Sequence, residues 1–285
     1  MIVEAHKGQV PAYLATLEEA HAELVPMADD VAEFRAALRG DLHVHSDWSD
    51  GGSSIREMAE AAIALGHEYM ALTDHSPRLT VANGLSPERL ENQLDVVAAL
   101  NEELAPFRIL TGIECDINVD GSLDQTEELL GRLDVVVASV HSDLRAESKA
   151  MTARMLAAVA NPHTDVLGHC TGRLVIGRQQ RNGTQRPRPE STFDAEAVFS
   201  ACVEYGTAVE INSRPERLDP PLRLLSLAVE LGCEFSIDTD AHAPGQLDWQ
   251  SNGCERALET GVPIERVVNS WATEELLGWA GHPAP

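Results

Sequence analysis

From residue 41 onward the chain alternates short β-rich runs with helical patterns, one pair about every 25 to 35 residues, and this rhythm restricts the fold more than any other feature. The β-rich runs fall at 41–45, 69–73, 108–114, 134–140, 165–169, 208–212 and 234–238. Helical stretches lie near 53–65, 87–104, 124–130, 147–160, 194–205 and 221–231, several of them opened by Ser, Asp or Pro. Continuous apolar runs such as VVVASV at 135–140 suit strands covered on both faces, which means a parallel sheet wrapped by helices. The segment 173–191, rich in Arg, Gln, Pro and Gly, is the longest irregular stretch and is expected to be a loop. Ahead of the alternation, Leu14, Leu17, Leu24, Val31, Phe34 and Leu38 recur at helical spacing among many acids, which predicts a helical lead-in. The expected organisation is an N-terminal helical extension over 1–38 and one barrel domain over 39–285.

Composition narrows the functional classes. No apolar run approaches the ~20 residues that a spanning helix needs, and the N-terminus lacks the basic lead and apolar stretch of a secretory signal. The five cysteines are scattered, with no C-x-x-C pair, which argues against a disulfide framework and against a cysteine zinc site. The expectation is a cytoplasmic protein with no membrane partner. A net charge of −25 repels polyanions at long range and disfavours tight, non-specific nucleic-acid binding. It does not decide the sign inside a pocket, where bound cations are the largest local charges.

The chemistry-bearing side chains sit where the runs end. His43 and His45 end the first, Asp74 and His75 the second, Glu114 the third, His141 the fourth and His169 the fifth. Asn212 and Arg214 follow the sixth run, Asp238, Asp240 and His242 close the seventh, and the DWSDGG loop offers Asp50. In a parallel barrel all strand C-termini open on one face, so these residues converge there. His43 and His45, two apart, share one side of an extended strand. Taken singly, each histidine is more often a hydrogen-bonded core or surface residue than a ligand. Six of the eleven histidines and three acids at the same ends of consecutive strands are not explained that way.

Imidazole plus carboxylate ligation suits zinc, iron or manganese. Nine donors exceed what one ion takes, and with Glu114 as a bridge they serve two or three divalent ions, an arrangement that clamps a phosphoryl group. Arg78 and Arg173 directly trail ligand candidates and are expected to fork onto phosphate oxygens, with Arg214 and Arg217 as further candidates and surface ion pairs as the alternative. Asn212 either orients a phosphate or caps the turn that follows it. Asp41, Asp74 and Asp238 are candidates for fixing an imidazole tautomer, and Trp48 for covering the pocket rim. His6, His21, His67, His163 and His282 receive no role.

At these residues the sequence resembles the PHP (polymerase and histidinol phosphatase) superfamily, from about Arg39 to the C-terminus. DLHVHSDWSDG, LTDHS, GIE, SVHSD, GHCTGR and DTDAH stand in the family's order. The resemblance implies an α/β fold, a distorted (β/α)7 TIM-like barrel, with a three-metal site. By this resemblance the metal ligands are His43, His45, Asp50, His75, Glu114, His141, His169, Asp240 and His242. One ion falls to the H-x-H pair with Glu114 and Asp240, a second to Glu114, His141 and His169, and a third to Asp50, His75 and His242. DHSPRLTVANGLSPERL and EINSRPERLD are most similar to the PHP domain of bacterial family-X DNA polymerases, whose activity is 3′–5′ exonucleolytic and end-processing.

The resemblance therefore implies a metal-dependent phosphoesterase with two or three ions of manganese, zinc or iron. Its substrate would be a nucleotide or short nucleic-acid 3′ end, or a phosphorylated small molecule of the histidinol-phosphatase type. Two other classes compete. An amidohydrolase also uses H-x-H on the first barrel strand but usually needs a bridging modified lysine, and the lysines here, Lys7 and Lys149, end no strand. A non-catalytic, metal-stabilised interaction module is the other.

Overall fold

The computed structural model describes residues 28–179 and 185–281. Its strands are β1 (Gly40–Val44), β2 (Tyr69–Leu72), β3 (Arg108–Asp116), β4 (Val135–Ser139), β5 (Val166–Leu167), β6 (Leu174–Gln179), β7 (Gln185–Arg188), β8 (Ala208–Asn212) and β9 (Phe235–Asp238). The α-helices are α1 (Asp29–Ala36), α2 (Ile55–Ala64), α3 (Pro87–Leu104), α4 (Glu127–Leu130), α5 (Ser148–Val159), α6 (Ala195–Tyr205), α7 (Leu222–Leu231), α8 (Gln250–Thr260) and α9 (Thr273–Ala280).

Seven parallel strands in the order β1-β2-β3-β4-β5-β8-β9 form a nearly closed barrel with helices around it. The expected strands are all present, though the fifth shrinks to two residues and leaves His169 in the turn beyond it. Local signals set the helix starts. Ser54 and Glu57 close a capping box on α2, Ser86 caps α3 with Pro87 behind it, and Asp194 caps α6.

The period-two alternation of the strands separates two cores. Tyr69, Ala71, Leu110, Val135, Val137, Val166 and Ala208 share a cluster with Leu276 and Trp279 of α9. Their intervening neighbours Val136, Ala138, Val209, Ile211, Phe235 and Ile237 pack instead among the surrounding helices. Along β3 and β8 the first face continues from Leu110 and Ala208 to Glu114 and Glu210, so the polar site is an extension of the inner face. On β1 the register shifts between Asp41 and Val44. Beyond that irregularity Val44 joins the outer cluster with Ile55 and Met58, while His43 and His45 face the site with ring centroids 5.1 Å apart.

Side chains close the barrel between β1 and β9. Asp238 accepts from Leu42 N at 2.9 Å, and Asp41 accepts from Thr239 Oγ1 at 2.5 Å. Gln250 and Asn269 each donate to the carbonyls of both Gly40 and Ile237.

Two readings change, and a third is observed in part. The segment expected as a loop over 173–191 contains an antiparallel hairpin, β6 paired with β7, because Leu174 meets Arg188 and the two runs satisfy each other's backbone groups. Helices α8 and α9 were not foreseen; α8 reads QSNGCERALET, whose buried Gln250, Gly253, Cys254 and Ala257 fall at helical spacing but include no large apolar side chain. It lies against the barrel at Gly253, where a Cβ would come within 2.5 Å of both Ser213 Oγ and Ile237 Cγ2. Of the helical lead-in, α1 is observed, with Val31 in the core and Arg35 paired to buried Asp248 at 2.8 Å, and the part before residue 28 lies outside the described residues.

Candidate metal centre

Glu114, at the mouth end of β3 and 1% exposed, is the point of convergence. His141 Nε2 and His169 Nε2 lie 3.1 and 2.9 Å from its Oε1. His75 Nδ1, His43 Nε2 and His45 Nε2 lie 2.8, 3.4 and 3.6 Å from its Oε2. Asp50 Oδ1 sits 3.4 Å from His75 Nε2 and 3.3 Å from His242 Nε2, and Asp240 Oδ1 sits 3.4 Å from His45 Nε2. All nine residues expected to gather do so, although their chain positions span 43 to 242.

These close approaches are not a satisfied hydrogen-bond network. His43 Nε2, both nitrogens of His45, Asp50 Oδ1, His75 Nδ1, Glu114 Oε2 and His141 Nε2 are buried and make no hydrogen bond. Buried polar atoms are nearly always paired, so a convergent set of unpaired lone pairs fits bound cations. The donor atoms form four tight groups, His45/Asp50/His75/His242, His43/Glu114/His169, His43/His45/Asp240 and His75/Glu114/His141, each within 4.8 Å. His169 falls in a group with His43 and His141 in one with His75, and both also share Glu114 Oε1, at 2.9 and 3.1 Å.

Electrostatics keep the carboxylates ionised. Burial alone would raise Glu114, but His141, His75 and His43 hold it well below the usual carboxylate range. Asp240 is held down likewise, against its burial, by Arg214 and Arg217. Burial disfavours charge on His45, and His242 and His75 push in the same direction, so its imidazole is poised as a neutral donor.

Around this cluster a ring of acids sets its shape. Glu210 Oε1 holds His43 Nδ1 at 2.6 Å, and its other oxygen accepts the backbone N–H of His169. Asp116 holds His141 Nδ1 through a short hydrogen bond. Neither acid was singled out from sequence, yet both lie two residues along a strand from a candidate, Glu210 from Asn212 and Asp116 from Glu114, on the same face.

Of the acids expected to fix imidazoles, Asp41 and Asp238 close the barrel seam instead. Asp74 holds the loop that presents Asp50, accepting from Ser46 N at 2.9 Å, Ser46 Oγ at 2.5 Å, Gln93 Nε2 at 2.7 Å and Ser49 Oγ. Trp48 packs against the outer core, and its carbonyl accepts from Asn83 at 3.1 Å and from Arg89.

Above the cluster opens a pocket of ≈ 170 Å³. Its polar wall includes Asp50, Arg188, Arg214 and Arg217, and its apolar wall is Leu79, Val81, Ala82, Val140 and Leu144. Neither Arg78 nor Arg173, the arginines expected to hold phosphate, is among the residues lining this pocket. Exposed Arg78 donates to Asn118 Oδ1 at 3.2 Å, and Arg173 binds the carbonyls of Arg217 and Leu218, so that it braces the loop after β8. Arg214 Nη1 lies 2.8 Å from the Asp240 carbonyl and Arg217 Nε 3.0 Å from Asp240 Oδ2, both within the pocket lining. Arg188 was missed because it sits in the stretch read as irregular. Asn212 accepts from Arg214 N at 3.1 Å and donates toward Glu210 and Asp240, which is the turn-capping alternative.

Comparison with known proteins agrees with this geometry. The family model of the PHP domain matches residues 41–214. The DNA polymerase/3′-5′ exonuclease PolX of Bacillus subtilis (strain 168) is 38% identical over 273 residues, covering 95% of this chain and 46% of the relative, so the chain spans about half that protein's length. A probable phosphatase of Thermoanaerobacter sp. (strain X514) is 26% identical over 245 residues, covering 81% of this chain and 89% of the relative. The crystal structure of histidinol phosphate phosphatase from Lactococcus lactis, complexed with zinc, L-histidinol and phosphate, shares the fold with a TM-score of 0.55. Its identity is 21%, over 78% of this chain and 94% of that one. Family match, extended sequence identity and barrel lead to one assignment: the chain belongs to the PHP domain family.

Proposed function

We propose that this protein is a metal-dependent phosphoesterase whose ions are held by His43, His45, Asp50, His75, Glu114, His141, His169, Asp240 and His242. The observation that carries the proposal is the buried Glu114 carboxylate, approached by five imidazoles whose lone pairs are largely unmatched, beneath a pocket walled by three arginines. The mixed nitrogen and oxygen donors suit two or three ions of zinc, manganese or iron. Divalent cations in such a cluster supply Lewis acidity and hydroxide near neutral pH.

The chain's own residues do the rest. Arg188, Arg214 and Arg217 hold phosphate oxygens, and the latter two, anchored on Asp240, keep that hold in register with the ligands. The Leu79, Val81, Ala82, Val140 and Leu144 wall excludes water from one side of the reacting group. A pocket smaller than the ~300–1,000 Å³ of drug-sized ligand sites suits a phosphate with its first substituent atoms.

The proposed substrate is a nucleotide or short nucleic-acid 3′ end, supported by the 38% identity to PolX along nearly the whole chain. A small phosphomonoester is the second reading, supported by the small pocket and the likeness to a probable phosphatase. Amide hydrolysis is disfavoured because Lys149 is exposed on α5. Five buried, unpaired cysteines support a reducing, cytoplasmic setting, and among the described residues no helix is long and apolar enough to cross a membrane.

The test is turnover of aryl phosphates, 3′-phosphorylated oligonucleotides, unmodified oligonucleotides and histidinol phosphate by protein of measured zinc, manganese and iron content. Hydrolysis of a phosphoester that disappears with chelation is expected. Stoichiometric metal without turnover of any of the four would refute the proposal in favour of a metal-stabilised interaction module.

A further inference from the structure

The carboxylate of Glu210 is fully buried on β8, and its two oxygens are committed to two different strands. Oε1 lies 2.6 Å from His43 Nδ1 at the end of β1. Oε2 accepts the His169 backbone N–H beyond β5 and lies 3.3 Å from Asn212 Nδ2. His43 belongs to two of the groups able to hold a single cation, His43/Glu114/His169 and His43/His45/Asp240, and its one outward nitrogen, Nε2, serves a single ion.

We propose that Glu210 is a positioning residue for the one ion that His43 Nε2 takes, and not for the ions His43 does not reach. The inference rests on the metal-binding part of the proposed function and not on the identity of the substrate. A carboxylate has no hydrogen to donate, so a neutral His43 must place its proton on Nδ1 and turn the Nε2 lone pair toward Glu114. The same carboxylate pins the backbone at His169, so the two imidazoles are set relative to each other from behind. Neither Asp50 nor His242 touches Glu210, and their ion is outside its control.

Glutamine is nearly isosteric but carries one acceptor instead of two. If its amide nitrogen faces His43, it donates to Nδ1 and puts the proton on Nε2, which blocks coordination. If it faces His169, two N–H groups oppose each other and the backbone is released. Either orientation damages the same ion site.

The experiment is zinc titration of the full chain and of Glu210→Gln, His43→Ala and the double variant, by calorimetry and elemental analysis. Imidazole nitrogen NMR of ¹⁵N-histidine-labelled, zinc-loaded protein accompanies it. In Glu210→Gln one zinc ion is expected to bind about 10- to 100-fold more weakly while the remaining ions bind as in the parent. The Nε2-ligated signature of His43 should be lost, and the double variant should bind no more weakly than His43→Ala alone. An affinity within about twofold of the parent would overturn the proposal. So would equal weakening of every ion or a metal-free variant that does not melt cooperatively, since either makes Glu210 a folding element. Because no arm reads turnover, a protein that hydrolyses no phosphoester leaves the zinc result intact.

Discussion

Replacing Glu114 by glutamine is the sharpest perturbation of this site, because the two carboxylate oxygens divide the imidazoles between them. Oε1 faces His141 and His169, and Oε2 faces His43, His45 and His75. A carboxamide keeps one oxygen and turns two N–H bonds toward the imidazoles that faced the other, and because each of the two groups that contain Glu114 draws one imidazole from each set, both keep at most a neutral oxygen ligand. The group His45/Asp50/His75/His242 does not contain residue 114 and should retain an ion.

An ion present at a hundred times its dissociation constant stabilises the fold by about 2.7 kcal/mol. For a chain of this size its loss should shrink the metal-induced rise in Tm by roughly 5–10 °C. Phosphoester turnover should fall by at least about 10³-fold, or ~4 kcal/mol of transition-state stabilisation. Elemental analysis, thermal melts with and without manganese or zinc, and kcat/KM on an aryl phosphate measure the three effects. A variant with the parent's full metal content, an unchanged metal-induced Tm shift and activity within tenfold would refute Glu114 as the shared ligand.

The pocket geometry predicts that Arg188→Ala lowers kcat/KM by about 10- to 100-fold with metal content unchanged. Arg78→Ala, whose guanidinium reaches Asn118 instead, should stay within about twofold, and the same kinetics on both variants check the pair. His67, on the far side of β2 from the site, is lowered to about 4 by burial and by the charge of Arg35. A base depressed on folding stabilises the fold above its unfolded pKa of ~6.5, and that stability drains away as pH falls toward 4, by about 3 kcal/mol in all. Metal-free melts from pH 7 to 4 should therefore drop more steeply for the parent than for His67→Gln. Asp165 has the opposite sign: burial holds its carboxyl well above the usual range, so its ionisation costs stability as pH rises. Asp165→Asn, which keeps an oxygen for Val136 N, should melt above the parent at pH 8, with the gap closing by pH 4.

The proposed ligand set was legible because its residues carry an unmistakable chemistry and sit where strands end. Strand ends follow from local hydrophobic period and turn residues, both visible without the fold. The residues behind the ligands were not legible in the same way. Glu210 reads as one acid among 46 Asp and Glu, and only its position on the inner face of β8, against His43, separates it from a surface acid. Arg78 illustrates the converse: its place three residues after His75 suggested a phosphate contact, and the fold turns its guanidinium toward Asn118, outside the pocket lining.

Periodicity and residue type thus determined, from the sequence alone, a helix-wrapped parallel sheet whose strand ends carry histidines and carboxylates, and the family resemblance added the barrel. The tertiary structure decided which nitrogen faces which oxygen, that Arg188 joins Arg214 and Arg217 over the pocket, and that Asp41 and Asp238 seal the β1–β9 seam. The reason is range. A strand's face is set by its own backbone within a few residues, whereas the partner of a buried polar group comes from whichever distant strand packs alongside it.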